Sequence, residues 1–201
     1  MRKIVAAAFV SLDGVMQAPG GPEEDTSGGF AHGGWTHPFF DADVGAEMGA
    51  LFQERFDLLL GRRTYDIFAA HWPKANDDIA ALFNGVTKWV ATHRPESLHW
   101  QNSEALGADV VGKLRSMKQT DGPTLLTQGS SELVQLLVAN DLVDELNLLV
   151  YPVLLGKGKR LFADAAAPRT FELVRSKVAS NGVVIARYRR AGDVKTGSFA
   201  L

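Results

Sequence analysis

The 201-residue chain contains no cysteine. A disulfide framework, a thiol nucleophile, an iron–sulfur cluster and a cysteine zinc site are therefore excluded, and a reducing compartment, the cytoplasm by default, is expected. Neither charge sign is in excess, with 21 Lys and Arg against 23 Asp and Glu and a formal net charge of −2. Such a balance supplies no electrostatic drive toward nucleic acid or a membrane surface, which leaves a small neutral or anionic molecule as the expected partner. No apolar run approaches the roughly 18 residues that cross a bilayer. Met1-Arg2-Lys3 before apolar Ile4 to Val10 has the outline of a signal peptide, but Ser11-Leu12-Asp13-Gly14 interrupts it, and the stretch reads as a buried strand. Common fingerprints are missing too. Gly156-Lys157-Gly158 lacks the third glycine of a dinucleotide-binding turn, and neither a P-loop nor a G-x-S-x-G elbow occurs. His32, His37 and Asp41 match no rigid ligand spacing, so no metal site is expected.

What is present is an ordinary globular composition, 46% hydrophobic and 22% charged, consistent with one domain over residues 1–190 and a loose tail over 191–201. Asp13 to Pro38 holds seven Gly and three Pro in twenty-six residues, a long aperiodic loop of the kind that serves as a lid. Val44, Met48, Leu51 and Phe52 recur at helical spacing between Asp41 and Arg55, with Asp41 as cap. Short apolar runs then alternate with helical patterns: Leu58 to Gly61, Thr64 to Ala70, Lys88 to Ala91, Leu106 to Gln119, Thr124 to Thr127, Ser131 to Ala139 and Glu145 to Tyr151. Phe171 to Ala179 and Val183 to Arg189 flank Ser180-Asn181-Gly182, a strong hairpin signal. The expected fold is α/β, a mostly parallel sheet flanked by helices, with a C-terminal antiparallel β-hairpin.

Three of the apolar runs end in turns with phosphate-binding chemistry: Gly61-Arg62-Arg63-Thr64, Thr92-His93-Arg94 and Gln128-Gly129-Ser130-Ser131. Open α/β sheets bind ligands outside these carboxyl ends, where helix N-termini present free N–H groups. Any one of them alone is better read as a tight surface turn. Three at equivalent sheet positions point to a nucleotide or phosphorylated ligand.

Together with Ser11-Leu12-Asp13-Gly14-Val15, Trp72-Pro73, Leu142-Val143-Asp144-Glu145-Leu146 and Pro152-Val153-Leu154-Leu155-Gly156-Lys157-Gly158, these turns give the chain a family character. From Arg2 to about Arg190 it resembles the dihydrofolate-reductase-like family, and within it the reductase domain of the bifunctional riboflavin-biosynthesis deaminase-reductase. The resemblance implies an NADPH-dependent reductase of a pterin- or pyrimidine-like heterocycle, often dimeric. The alternative is an NADPH-binding protein of the same fold without efficient reduction. Carried over residue by residue, it implies that Gly129, Ser130 and Ser131 hold the diphosphate and that Gly61, Arg62, Arg63 and Thr64 complete that clamp. Thr92, His93 and Arg94 would select the 2′-phosphate. Ala7, between Ala6 and Ala8, would let the backbone meet the nicotinamide and the substrate ring, although the same alanines suit plain helix–sheet packing. Asp13 is implied beside the substrate pocket as the catalytic carboxylate, and it is also a good turn residue.

Two departures stand out. The family's D-D-P-x-L-T-x-R segment, which grips a ribose phosphate, is replaced by Thr64-Tyr65-Asp66-Ile67-Phe68, and the helix after the lid offers Asp43 and Glu47 near, but not at, the place of a reductase carboxylate. Phe30, Trp35, Phe39 and Phe40 in and after the loop either face a flat heterocycle or anchor the loop to the core. A homodimer is expected, because the stretch Glu145 to Gly156 is more apolar than a solvent-exposed edge strand tolerates, though an interior strand would have the same composition.

Overall fold

The computed structural model describes residues 1–162 and 166–199. Its centre is β1 (Ile4–Ser11), buried along nearly its whole length, as the apolar run of a strand covered on both faces requires. Eight strands form one sheet in the order β4-β3-β2-β5-β1-β6-β8-β7. Here β2 is Phe56–Gly61, β3 Lys88–Ala91, β4 Ser103–Ala105, β5 Thr124–Gln128, β6 Glu145–Tyr151, β7 Phe171–Val178 and β8 Val184–Arg190. The first six are mutually parallel, while β8 runs antiparallel to β6 and β7 antiparallel to β8. The expected architecture is thus observed.

Side-chain alternation along β1 divides the core. Ile4, Ala6, Ala8 and Val10 face α4 (Val110–Lys118) and α5 (Ser131–Ala139), whereas Val5 and Ala7 share the other face with α2 (Arg62–His71) and α3 (Asp78–Gly85). Ala6 and Ala8 therefore serve close helix–sheet packing, and Ala7 alone of the three points to the opposite side. α1 (Ala42–Ala50) buries Val44 in a third cluster with Trp35, Leu149 and Tyr151.

Several elements depart from the sequence expectation. α1 is capped by Asp41 as expected but stops at Ala50 instead of running to Arg55. Gly45 and Gly49 weaken it, and Leu51 and Phe52 turn into the core beside Phe56 and Phe83. α2 starts at Arg62 rather than Thr64, which makes Gly61 its N-cap. α3 and β4 were not expected: α3 is a short helix capped by Asp77 that buries only Ala80 and Phe83, and β4 is a three-residue strand, Ser-Glu-Ala, with no apolar pattern. β6 lies between β1 and β8, so it is interior and not an exposed edge. The free edge on that side is β7, which exposes Leu173, Val174 and Val178. Among the described residues no helix is long and apolar enough to cross a membrane.

Candidate active site

β1 outruns β5. Their pairing ends at Ala7 opposite Gln128, with the Gly129 N–H reaching the Ala7 carbonyl at 3.3 Å, while β6 accompanies β1 as far as Ser11. From Ala8 onward the β5 side of β1 has no strand partner at the carboxyl edge of the sheet. Chain reversal into α5 is made by Gly129 (φ 92°) and Ser130 (φ 63°), both in the left-handed region. A Cβ at Gly129 would make only ordinary contact, with Met16 Cε at 3.8 Å and Thr64 Oγ1 at 3.9 Å, so it is the left-handed backbone that calls for glycine here. Ser130, which has a Cβ and resists this conformation, is held by its hydroxyl: Oγ accepts from the Gly61 N–H at 2.9 Å and donates to Thr64 Oγ1 at 2.6 Å. A Cβ on Gly61 would meet Ser130 Oγ at 2.8 Å. The turns after β2 and β5 are in this way locked into one unit.

The turn after β3 is joined to the same unit through Arg62. Its Nη1 donates to the Arg94 carbonyl at 3.1 Å and to Ser97 Oγ at 2.6 Å, and its Nε to Asp66 at 2.9 Å. Thr92 Oγ1 accepts from the Arg94 N–H at 3.0 Å. Arg62 is thus engaged by protein groups, whereas the exposed side chains of His93 and Arg94 make no hydrogen bond to a described residue. The segment after Thr92 is a 3₁₀ turn over Pro95–Ser97 and not a full helix.

Helix caps distinguish this edge from the rest of the molecule. α1, α3 and α4 are capped by Asp41, Asp77 and Asp109, whose carboxylates accept from the Val44, Ala80 and Gly112 N–H groups. α2 and α5, the two helices that start at the carboxyl ends of β2 and β5, have no side-chain cap. Their first-turn N–H groups and positive dipole ends stay available to an anion.

The long loop packs over this edge through polar contacts. Gln17 donates to the Asp25 and Ser27 carbonyls and accepts from the Lys159 N–H at 2.9 Å. Asp25, buried, pairs with Arg63 at the start of α2 and with Lys159 at 2.6 Å. Burial pushes the Asp25 carboxyl up, but the hydrogen bonds from Lys159, Ser27 and Arg63 outweigh it and hold the group well below the usual carboxylate range. Asp13 lies where β1 enters the loop. Its carboxylate accepts from Ser11 Oγ at 2.6 Å, from the Gly156 N–H at 2.7 Å and from the Leu155 N–H at 3.2 Å. The Ser11 bond foremost, reinforced by the two N–H groups against a desolvation penalty, holds it at about 2. Phe30 and Trp35 are buried, and Trp35 and Phe39 meet Tyr151 edge-on at 5.3 and 5.9 Å, so these rings anchor the loop. Phe40 is exposed. Asp43 and Glu47 pair with Lys177 and Arg175. The Asp25–Lys159 contact spans 134 residues, and Asp25, Gln17 and Lys159 had no local pattern to mark them beforehand.

Residues 2–185 match the family described as RibD C-terminal domain. The chain belongs to that family. A curated relative of the RibD C-terminal domain chain, the uncharacterized protein YyaP of Bacillus subtilis (strain 168), is 25% identical over 189 residues, which cover 91% of this chain and 92% of YyaP. Among solved structures, a putative riboflavin biosynthesis protein from Shewanella sp. PV-4 has a TM-score of 0.62 at 18% identity, covering 94% of this chain and 99% of its own. Dihydrofolate reductase from Enterococcus faecalis complexed with NADP(H) has a TM-score of 0.59 at 14% identity, covering 94% and 96%. The fold of this RibD C-terminal domain is dihydrofolate-reductase-like, and family membership supports an oxidoreductase.

Proposed function

We propose that the protein is an NADPH-dependent reductase of a pterin- or pyrimidine-like heterocycle. The observation that carries this reading is the pair of helices, α2 and α5, that begin without side-chain caps at the carboxyl edge of the sheet while the other three described α-helices carry an aspartate cap. Phosphate oxygens would satisfy those N–H groups, and Gly129, with no side chain of its own, would let a diphosphate approach the backbone. The donor set fits: Ser131 and the first turn of α5 on one side, the first turn of α2 on the other. Arg94 and His93 stand free for a 2′-phosphate. Gly61, Thr64, Arg62, Thr92 and Ser130 hold the three turns together, and Arg62 Nη2 and the Thr64 hydroxyl keep donors that can also serve the ligand. Arg63 either stays with Asp25 or turns to the phosphates.

When bound, NADPH supplies the hydride. The chain's own part is to orient the two rings over Ala7 at the opening between β1 and β5 and to exclude water with the anchored loop. Asp13 acts by positioning: as an ionised carboxylate it ties the Leu155-Gly156 turn to the end of β1. Titration with NADPH, followed by NADPH oxidation in the presence of candidate heterocycles, tests the reading. Saturable binding and substrate-dependent oxidation are expected. Binding without oxidation by any candidate leaves a cofactor-binding protein, and no binding overturns both.

A further inference from the structure

Of the acidic residues in the long loop, only Asp25 is buried, and its place is fixed from several sides. The buried Gln17 side chain donates to the Asp25 and Ser27 carbonyls at 2.9 Å each and accepts from the Lys159 N–H at 2.9 Å, while the Gln17 carbonyl accepts from Trp35 Nε1 at 2.8 Å. The Asp25 carboxylate accepts from the Ser27 N–H at 3.0 Å and from Ser27 Oγ at 2.6 Å. It then reaches outward to two cations. One is Lys159 Nζ at 2.6 Å, and the other is Nη2 of Arg63, 38 residues away in the chain and in the first turn of α2.

The charges of this cluster do not cancel. Among the described residues neither Arg63 nor Lys159 has a second carboxylate within ion-pair distance, and neighbouring Glu24 turns to the Gly20 and Gly21 N–H groups instead. One carboxylate against two cations leaves a surplus positive charge beside the start of α2. The helix itself gives no relief, because its first turn holds Arg62 and Arg63 and no acidic residue, and cations are unfavourable at a positive dipole end. Asp25 thus supplies from the loop the negative charge that the helix lacks.

Of the two courses open to Arg63, remaining with Asp25 is the favourable one. Leaving would strip a buried carboxylate of one of its two cations, which is strongly unfavourable. Staying commits only Nη2, so the N–H groups of Nε and Nη1, on a side chain that is half exposed, make no hydrogen bond to a described residue and stay available to an anion. The loop meets the other phosphate-side turn as well, since a Cβ on Gly129 would touch Met16 Cε at 3.8 Å.

We propose that Asp25 is a positioning residue for the cofactor: its carboxylate holds the Arg63 guanidinium at the start of α2 with Nε and Nη1 turned to a cofactor phosphate, which makes the loop part of the cofactor site. The inference rests on the reductase reading, since NADPH supplies the phosphate. Coupling of this kind is reciprocal, so bound NADPH steadies the loop through the same arginine.

Fluorescence titration of NADPH and NADH at fixed salt tests this in wild type, Asp25→Asn, Arg63→Gln and the double variant. Each single substitution should weaken NADPH by about 10-fold, the loss of one charge-assisted contact, and the double variant should bind no more weakly than Arg63→Gln, because the two side chains act as one unit. An equal loss for NADH assigns Arg63 to the diphosphate, and a loss confined to NADPH assigns it to the 2′-phosphate. Hydrogen exchange supplies a readout that does not need Asp25→Asn to fold: saturating NADPH should slow amide exchange over residues 17–35 in wild type and not in Arg63→Gln at its own saturating concentration. Wild-type or tighter binding in Asp25→Asn, losses that multiply in the double variant, or equal loop protection in Arg63→Gln overturns the proposal while the cofactor reading stands. If NADPH does not bind the wild-type protein, both fall.

Discussion

The Ser130 hydroxyl at the start of α5 lies 2.6 Å from Thr64 Oγ1 in α2 and 2.9 Å from the Gly61 N–H. One side chain thereby fixes the spacing of the two uncapped helix starts. Its backbone is left-handed, which costs a residue with a Cβ about 1 kcal/mol or more. Ser130→Ala loses both hydrogen bonds and keeps that cost, whereas Ser130→Gly loses the bonds and sheds it. Denaturant midpoints should rank wild type above or level with Gly, and Gly above Ala by about 1 kcal/mol. Equal stability of the two variants would show that the turn relaxes without the serine.

Arg94 is expected to select NADPH over NADH. It is exposed and makes no side-chain hydrogen bond to a described residue, and a charge-assisted bond to a 2′-phosphate is worth roughly 1.5–3 kcal/mol. A preference of about 10- to 100-fold should fall toward unity in Arg94→Ala when both cofactors are titrated at one salt concentration. An unchanged preference removes Arg94 from the site.

Asp13 should behave as a structural anion and not as a proton donor. Its pKa in the folded chain, about 2, lies below the ordinary value of 3.8. The stability it contributes is present above that ordinary value and is lost as pH falls toward 2. Asp13→Asn should flatten the acid limb of the stability curve in that window and leave the pH profile of turnover near neutrality unaltered. A turnover loss of about 10²-fold accompanied by a changed profile would instead make it the acid.

Lys88 provides a second pH signature with the opposite sense. It is fully buried, donates to the Asn84 and Gln101 carbonyls and sits 4.3 Å from the Trp100 ring centroid, and burial lowers it from 10.5 to about 8. Between those values the unfolded chain binds more protons than the folded one, so stability should rise with pH from about 8 to 10.5. Urea titrations should show the rise in wild type and its absence in Lys88→Met.

A homodimer, if formed, should use the β7 edge. Leu173, Val174 and Val178 are 55%, 43% and 66% exposed there, more apolar surface than a free edge strand ordinarily presents. Light scattering should give twice the 21.8 kDa chain mass, and Leu173→Lys should shift the protein to monomer. A monomeric wild type at micromolar concentration refutes it.

Much of this was legible before any coordinates. Strand and helix alternation, the Asp41 cap, the Asn181-Gly182 hairpin and the family motifs are local patterns, each written in fewer than about twenty consecutive residues. Features with weak local patterning escaped. β4 has no apolar rhythm because it is a short, mostly exposed edge, and α3 buries only two side chains. The Glu145 to Tyr151 run could not reveal whether it was an edge or an interior strand, since the same apolar residues suit either position.

The sequence by itself determined the α/β class, the family and the three turns, because period, glycine placement and motif spacing act along the chain. Only the tertiary structure decided what each polar side chain is for. It turned Arg62 inward to Ser97, gave Asp13 to the Gly156 N–H, and set Asp25 between Arg63 and Lys159. Those partners lie tens to more than a hundred residues away. A hydrogen bond or an ion pair acts over a few ångströms of space, so no spacing within the chain could disclose it.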